Sequence, residues 1–389
     1  FGTNSLMVGD DATGTIDAAN NNTGLGVDIF TALTTGDSNS ALGTFSLELL
    51  TTGTGNSAVG YKSLEAVTTG GYNTALGWVA GYKITTGTNN VCIGSTAGDA
   101  ITEGAYNVAV GDNALTSNTT ADNNTAVGAG ALLANTTADN NTAVGYNTLG
   151  ACTTGTSNTA IGTIALDAIT TSANNTAVGH QALTNATGGG GNTALGKGTM
   201  TATVTGSNNT AVGYTASSAL TSASNVVAVG HNALVTNTTG GNSTAVGTDA
   251  LNAQTSAASN VGIGFQAGTS VTTGGGTTAV GSEAGEAITT GAFNTCVGIV
   301  AGSTITTGAR NLCLGYDSGT SGSPSHITTG DNGIVLGNNA TTSAHIKVDW
   351  TVTSDKRDKT DIEPLTMGLN FVNELEPVTY RWDMRSDYS

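Results

Sequence analysis

A glycine recurs every 17 residues over most of this chain. Nineteen glycines keep that spacing from Gly9 to Gly315, and one further copy ends 22 residues later at Gly337. The five extra residues fall around Ser321–Ser325. A unit this short cannot bury an apolar face alone, so successive copies must stack as coils of a solenoid. The sequence therefore predicts an all-β fold, a parallel β-solenoid of 17-residue coils with strands about 4.8 Å apart.

Several other positions repeat with the glycine, and they are numbered here from it. Position −1 is always aliphatic, position −2 is nearly always Ala, Cys or Gly, and position −4 is usually Asn. Thr-Thr-Gly commonly occupies positions +8 to +10. Because Asn, Thr and Gly form turns readily, each coil is predicted to contain two short strands separated by turns. We expect the −1 side chain to point inward beside a tight backbone contact, and the Asn column to hydrogen-bond along the stack.

The predicted core is adjusted from coil to coil. Position +4 is Leu in most coils, as in Leu64 and Leu115, but Gly in five coils that each carry a β-branched residue three positions later. Those β-branched residues are Ile84, Ile101, Val271, Ile288 and Ile305. Volume lost at one position is thus matched at another, as core packing requires. The core is thin, which favours several chains sharing one axis.

Composition and charge limit the function. The net charge is −17 and charged residues make up 10% of the chain. Nucleic acids and anionic membrane surfaces are bound by clustered Lys and Arg, so we expect no nucleic-acid partner. No stretch approaches the length of apolar sequence that spans a bilayer, so we expect no membrane insertion. The four cysteines are too scattered for a disulfide framework or a zinc signature, and we expect no metal and no cofactor.

Two of the repeated positions allow both a functional and a purely structural interpretation. At position +1, Tyr61, Trp78 and Tyr146 could form a sugar-stacking surface, although ordinary surface filling is the favoured interpretation. His180 and His231 in that column lie three coils apart, about 14 Å, which is too far to share a metal.

Cys296 and Cys313 occupy position −2 in adjacent coils. Their Cα atoms would lie within disulfide range, but a buried reduced pair is favoured. Asp122 and Asp139 belong to Asx-rich stretches that could contact calcium, although such turns need no ion.

A repeated motif carries a family resemblance. Asn-Thr-Ala-Val-Gly-x-x-Ala-Leu stands at Asn124–Leu132 and, with Thr148 in place of Ala, at Asn141–Leu149. This motif resembles the head repeats of trimeric autotransporter adhesins, and similar longer-period repeats occur in phage tail fibres. The resemblance covers about residues 4–337 and implies a homotrimer, with the chain itself as the partner.

A different domain begins near residue 354. Residues 1–353 carry 19 acidic and 5 basic groups, whereas residues 354–389 carry 8 and 5. Apolar residues after Pro364 are spaced for one face of a helix, and Val378–Trp382 alternates like a strand. The predicted organisation is a shaft over 1–338, a neck over 339–353 and a short α+β segment over 354–389.

The start of that segment carries a second resemblance. Ser354-Asp355-Lys356-Arg357-Asp358-Lys359, followed by Pro364-Leu365 and Leu375–Trp382, resembles the start of the endosialidase-type intramolecular chaperone domain. That family caps trimeric phage fibres, assists their trimerisation and usually cuts its own chain between the motif Ser and Asp.

The resemblance implies cleavage of the Ser354–Asp355 bond, with Ser354 as nucleophile and Lys359 as general base. A serine hydroxyl needs a neighbouring base, and Lys serves only when its pKa is lowered. Asp358 departs from the family, which commonly has an apolar residue there.

These features favour a structural fibre over a metabolic enzyme. The leading hypothesis is an extracellular, homotrimeric tail fibre on a virion surface, which serves host attachment through an unidentified receptor or glycan. Its only chemistry would be single-turnover autoproteolysis. The alternative is a bacterial surface adhesin built from the same repeats. A glycan-cleaving tailspike would need paired carboxylates, and an ice-binding solenoid a flat array of Thr side chains.

Overall fold

A computed structural model describes residues 5–8 and 18–345 of the chain. The chain divides into two compact units, Phe1–Thr341 and Thr342–Ser389. Of the second unit only residues 342–345 are described. The helix and the strand predicted after Pro364, most of the predicted neck, and the predicted cleavage site lie outside the described residues.

Within the described residues, twenty strands of three residues each follow one another along the first unit. In chain order β1 to β20 are Leu6–Val8, Thr23–Leu25, Ser40–Leu42, Ser57–Val59, Thr74–Leu76, Val91–Ile93, Val108–Val110, Thr125–Val127, Thr142–Val144, Thr159–Ile161, Thr176–Val178, Thr193–Leu195, Thr210–Val212, Val227–Val229, Thr244–Val246, Val261–Ile263, Thr278–Val280, Thr295–Val297, Leu312–Leu314 and Ile334–Leu336. Each strand pairs in parallel with the next, in a single sheet.

The register follows the sequence repeat. Leu6 pairs with Thr23 and Thr295 pairs with Leu312, each offset by 17 residues, whereas Leu312 pairs with Ile334 across the enlarged coil. This pairing confirms the predicted parallel β-solenoid and the single interruption.

Each coil contains one strand, so the prediction of two strands per coil is wrong. The Thr-Thr-Gly segment forms a turn instead, in which the backbone N–H groups of Thr51, Thr52 and Gly53 converge on the carbonyl oxygen of Thr68 in the next coil, at N···O distances of 3.0, 3.2 and 3.3 Å. The Thr51 hydroxyl donates to the same oxygen at 2.9 Å. Since this hydroxyl column is bonded within the shaft, it does not supply the free Thr array that an ice-binding surface needs.

The −1 side chain points outward, so the prediction that it points inward is also wrong. Ala58, the middle residue of β4, is fully buried, whereas Val59 is 38% exposed. In a three-residue strand the side chains alternate, and only the middle one faces the coil interior. The tight backbone contact is confirmed: a β carbon at Gly111, where φ is +133°, would lie 2.7 Å from the carbonyl oxygen of Gly128.

The interior is filled from positions −2, +3, +4 and +7. Leu64 at position +4 is fully buried. In the five coils with Gly at +4 and a β-branched residue at +7, the β-branched side chain extends toward the glycine; a β carbon at Gly285, for example, would lie 2.9 Å from Cδ1 of Ile288. The predicted compensation between these two positions is confirmed.

The Asn column forms a hydrogen-bonded ladder that is unbroken from Asn22 to Asn209. The backbone N–H and the Nδ2 of Asn39 both donate to Oδ1 of Asn22, at 2.8 and 3.1 Å, and Nδ2 also donates to the carbonyl oxygen of Gly53 at 3.0 Å. These amides are buried. The pattern repeats from coil to coil and confirms the prediction that the column bonds along the stack.

The ladder is repaired where Asn is replaced. The hydroxyl of Ser243 at position −4 still accepts from the backbone N–H of Asn260 at 3.3 Å. Gln254 from position +7 donates through Nε2 to the same hydroxyl at 3.1 Å. Oε1 of Gln254 then accepts from Nδ2 of Asn260 at 2.9 Å. A buried polar group introduced at +7 thus restores the bonding that the shorter side chain lost.

Candidate assembly surface and processing site

One side of the sheet is an uncharged strip, which we call the outer sheet face. It consists of the side chains at positions −3 and −1 of β2 to β20. Every −1 residue is Val, Leu or Ile, and every −3 residue is Thr, Ser, Val, Leu or Ile. Many are strongly exposed, with Leu25 52%, Leu76 48% and Ile161 41% exposed.

A groove runs along this face over β2 to β4. Its volume is about 260 Å³, and the residues that line it are Thr23, Leu25, Ser40, Ala41, Leu42, Ser57, Ala58 and Val59. The small −3 side chains form one wall, the larger −1 side chains form the other, and alanines form the floor. A groove of this shape fits aliphatic side chains from a second surface.

The outer sheet face has the area of a protein–protein interface. Nineteen strands stacked about 4.8 Å apart, each about 10 Å long, give a strip on the order of 850 Å². A standard interface buries about 800 Å² per partner. The −1 column of the strip is aliphatic throughout, whereas most −3 positions are Thr or Ser. The strip therefore offers the area of an interface, with an aliphatic column beside a column of small polar side chains.

Two columns of exposed side chains flank the outer sheet face. Position +1, just after the glycine, includes Trp78 at 57% and Tyr316 at 62% exposure. Position −5, just before the ladder Asn, includes Tyr72 and Phe293. The Tyr72 ring covers a glycine in the preceding coil, since a β carbon at Gly55 would lie 2.9 Å from that ring.

Some of these rings contact one another within the chain. Tyr214 and His231, at +1 in adjacent coils, stack with centroids 5.6 Å apart. Lys62 lies over three rings, with Nζ 5.3 to 5.8 Å from the centroids of Phe45, Tyr61 and Tyr82. Its ion pair with Glu65, at 2.9 Å, and the accompanying hydrogen bond raise the pKa of Lys62. This ring cluster is occupied by the chain's own cation.

The paired cysteines lie in the interior column. Cys296 and Cys313 are register partners in β18 and β19, and both are buried free thiols. The hydrogen bond with Cys313 and burial together raise the pKa of Cys296. These two residues occupy the interior position that Ala holds in most other coils, and their thiols fill slightly more of the core volume.

The Asx-rich turns use their carboxylates on the backbone. Oδ1 of Asp122 accepts from the N–H of Ala105 at 2.7 Å, and Oδ1 of Asp139 accepts from the N–H of Asp122 at 2.8 Å. These bonds join neighbouring coils. Within residues 5–8 and 18–345, no three His, Cys, Asp or Glu side chains lie close enough together to hold a metal.

The predicted processing residues Ser354, Asp355 and Lys359 lie outside the described residues, so their arrangement stays a prediction. Residues 354–388 match the family model of the chaperone of endosialidase. The chain carries a chaperone-of-endosialidase domain at its C-terminus. Together with the stacked coils, this match confirms the predicted combination of a repeat shaft and a chaperone domain. No curated protein sequence matches the chain significantly.

Sequence reasoning missed the outer sheet face. Its signal was present, because an aliphatic residue at −1 in every copy beside a residue at −2 that is nearly always small is what an outward-facing apolar column requires. In the part of the chain that the structure describes, no helix is long and apolar enough to cross a bilayer.

Proposed function

We propose that this chain is the shaft of a homotrimeric fibre on a virion surface, such as a tail fibre, and serves host attachment. The observation that carries the proposal is the outer sheet face, an uncharged strip with a continuous aliphatic column at position −1, on a chain whose net charge is −17. Three copies facing one axis would cover this strip. The C-terminal chaperone match supports the virion assignment over a free-standing bacterial adhesin.

The chaperone domain has a physical task in this arrangement. From β1 to β19 each strand pairs with a neighbour 17 residues away and the coils resemble one another, so chains could associate out of register. Parallel pairings also form slowly and leave edges exposed during folding. A domain that brings three C-termini together first would set one register for the whole shaft.

Self-cleavage forms a second part of the proposal. The hydroxyl of Ser354 would give its proton to Lys359 and attack the carbonyl carbon of its own residue. The Ser354–Asp355 C–N bond would break as Lys359 returns that proton to the amino group of Asp355, and water would then open the resulting lactone to leave a carboxylate at Ser354. Release of the chaperone after assembly would make the trimer kinetically trapped, because the register-setting part is no longer attached.

Sedimentation of the full chain tests the oligomeric state. The unmodified chain should sediment as a trimer, and a monomer would overturn the proposal. Ile161→Asp combined with Val178→Asp should shift the chain toward monomer, since each level of the axis would hold three unpaired carboxylates. Thr154→Asp combined with Thr171→Asp, on an exposed turn of the same coils, is the matched control and should leave the trimer intact.

A further inference from the structure

The two columns that flank the outer sheet face carry matching chemistry. Position −5 is Asn, Ser or Gly in most described coils, and it carries a large side chain at Tyr72, Tyr106, Phe293 and Arg310. In those same four coils, position +1 is Trp78, Asp112, Ile299 and Tyr316, respectively. All eight are surface positions of the chain.

Each of these pairs is complementary. Tyr72 with Trp78 could pack ring against ring, and Phe293 with Ile299 is an apolar pair. The Tyr106 hydroxyl could donate to the carboxylate of Asp112. Arg310 is a cation that could lie over the Tyr316 ring.

The members of a pair are held apart within one chain, where the Tyr72 and Phe293 rings lie against Gly55 and Gly276 of the preceding coil. Positions −5 and +1 lie at opposite ends of a three-residue strand, with the whole strand between them. Among the described residues, none of the ring–ring or cation–ring contacts joins Tyr72 to Trp78 or Arg310 to Tyr316. The matching therefore calls for a second copy.

Cyclic symmetry supplies that contact. The strands run across the stacking axis. In a ring of identical subunits, each contact joins two different surfaces of the subunit. The end of a strand in one copy therefore meets the start of the equivalent strand in the next copy. Position +1 follows the strand end, and position −5 precedes the strand start. Position −4 lies between position −5 and the first residue of the strand. Its residue is a buried ladder Asn, so that side chain is not available for contact with another copy.

We infer that positions +1 and −5 of the same coil level contact each other between neighbouring copies and form the three seams of the fibre. This inference rests on the proposed trimer and adds the surface and the register to it. The aromatic residues at these positions then contribute to assembly and specify which coils of neighbouring copies are aligned. When the copies are in register, Arg310 of one copy lies beside the Tyr316 ring of the next. If the copies were shifted by one coil, Arg310 would lie beside the aliphatic side chain of Ile299.

Cysteine pairs test the seam. A full chain with Tyr72→Cys and Trp78→Cys should form a disulfide-linked trimer on mild oxidation by air with a copper catalyst, seen without reductant on a denaturing gel. The native cysteines are buried. The matched control, Tyr72→Cys with Tyr146→Cys, places the second thiol four coils away and should give no linked trimer.

A second pair, Arg310→Cys with Tyr316→Cys, repeats the test at the other end of the shaft, with Arg310→Cys and Phe265→Cys as its offset control. Sedimentation of every variant before oxidation shows whether that variant still forms a trimer. It therefore separates a failure to assemble from a failure to form the disulfide. Trimers that do not become linked at either in-register pair, or that link equally in the offset pairs, would overturn the seam. An unmodified chain that sediments as a monomer would overturn the proposed function and the seam together.

Discussion

The sulfur of Cys92 fills the space that a side chain at Gly98 would need. A β carbon at Gly98 would lie 2.7 Å from that sulfur, and the same relationship joins Cys296 to Gly302. Every strand with Cys at its middle position therefore has Gly at +4, where most other coils have Leu. Cys at −2 and bulk at +4 compete for one volume inside the coil.

Gly98→Ala should destabilise the coil through two effects. The added methyl group would collide with Cys92, and a non-glycine residue would be held at a φ of +59°. Together we expect a loss of about 1–3 kcal/mol in the free energy of unfolding. The measurement is chemical denaturation followed by circular dichroism.

The collision and the backbone effect can be separated. Cys92→Ala combined with Gly98→Ala should cost less than the sum of the two single changes, because the sulfur is gone. Gly198→Ala, at a φ of +68° in open surroundings, reports the backbone effect alone. Strict additivity of the Cys92 and Gly98 changes would contradict the shared volume.

Asn141→Ala should break the buried ladder. Oδ1 of Asn141 accepts from the backbone N–H and from Nδ2 of Asn158, at 2.9 and 3.2 Å, and its Nδ2 donates to Gly155. Removing it leaves buried donors without a partner, at a cost of about 2–4 kcal/mol. The melting temperature reports the loss. Thr137→Ala, at an exposed turn, should change it little, and equal melting temperatures for the two variants would argue against a structural ladder.

Alkaline pH should weaken the shaft through its buried thiols. Burial raises the pKa of Cys152 from 9.0 to about 11 and that of Cys92 to about 12. The unfolded chain loses these protons above pH 9 while the folded chain keeps them, so the stability that they contribute is complete below pH 9 and falls as pH rises toward 11–12. Melting temperatures between pH 8 and 11 should fall less for Cys152→Ala than for the unmodified chain. If the melting temperatures of the two proteins fell in parallel with pH, the pKa of Cys152 would not differ between the folded and the unfolded chain.

Ser354→Ala should preserve the full-length chain. If self-cleavage occurs, intact mass after expression should show the unmodified chain ending at Ser354 and a separate fragment that begins at Asp355. Lys359→Ala should also block the cut, because the hydroxyl then lacks its base. Ser386→Ala is the control and should still be cleaved. If the unmodified chain also keeps its full length, and differs from Ser354→Ala only by the mass of one oxygen atom, there is no cut at this bond.

Much of the fold could be predicted because it depends on residues that meet their own equivalents. Stacking a 17-residue unit places Asn39 next to Asn22 and Gly111 next to Gly128 whatever the shape of the coil, so the ladder and the close backbone contact followed from the period. Compensation between Gly285 and Ile288 was also visible, since both lie in one coil and must share a fixed volume.

The sequence by itself determined the period, the register and the chaperone segment, whose motif from Ser354 to Lys359 is local. The tertiary structure decided which side of the strand faces inward. The Ala at position −2 and the Val at position −1 are both apolar, so hydrophobicity alone does not decide which of them is buried. The interior of the coil is crowded, since even at Gly262 a β carbon would lie 2.7 Å from Cγ of Leu251. Only the smaller residue therefore fits inside. The larger aliphatic residues must therefore point outward, and they form the surface on which the proposed assembly depends.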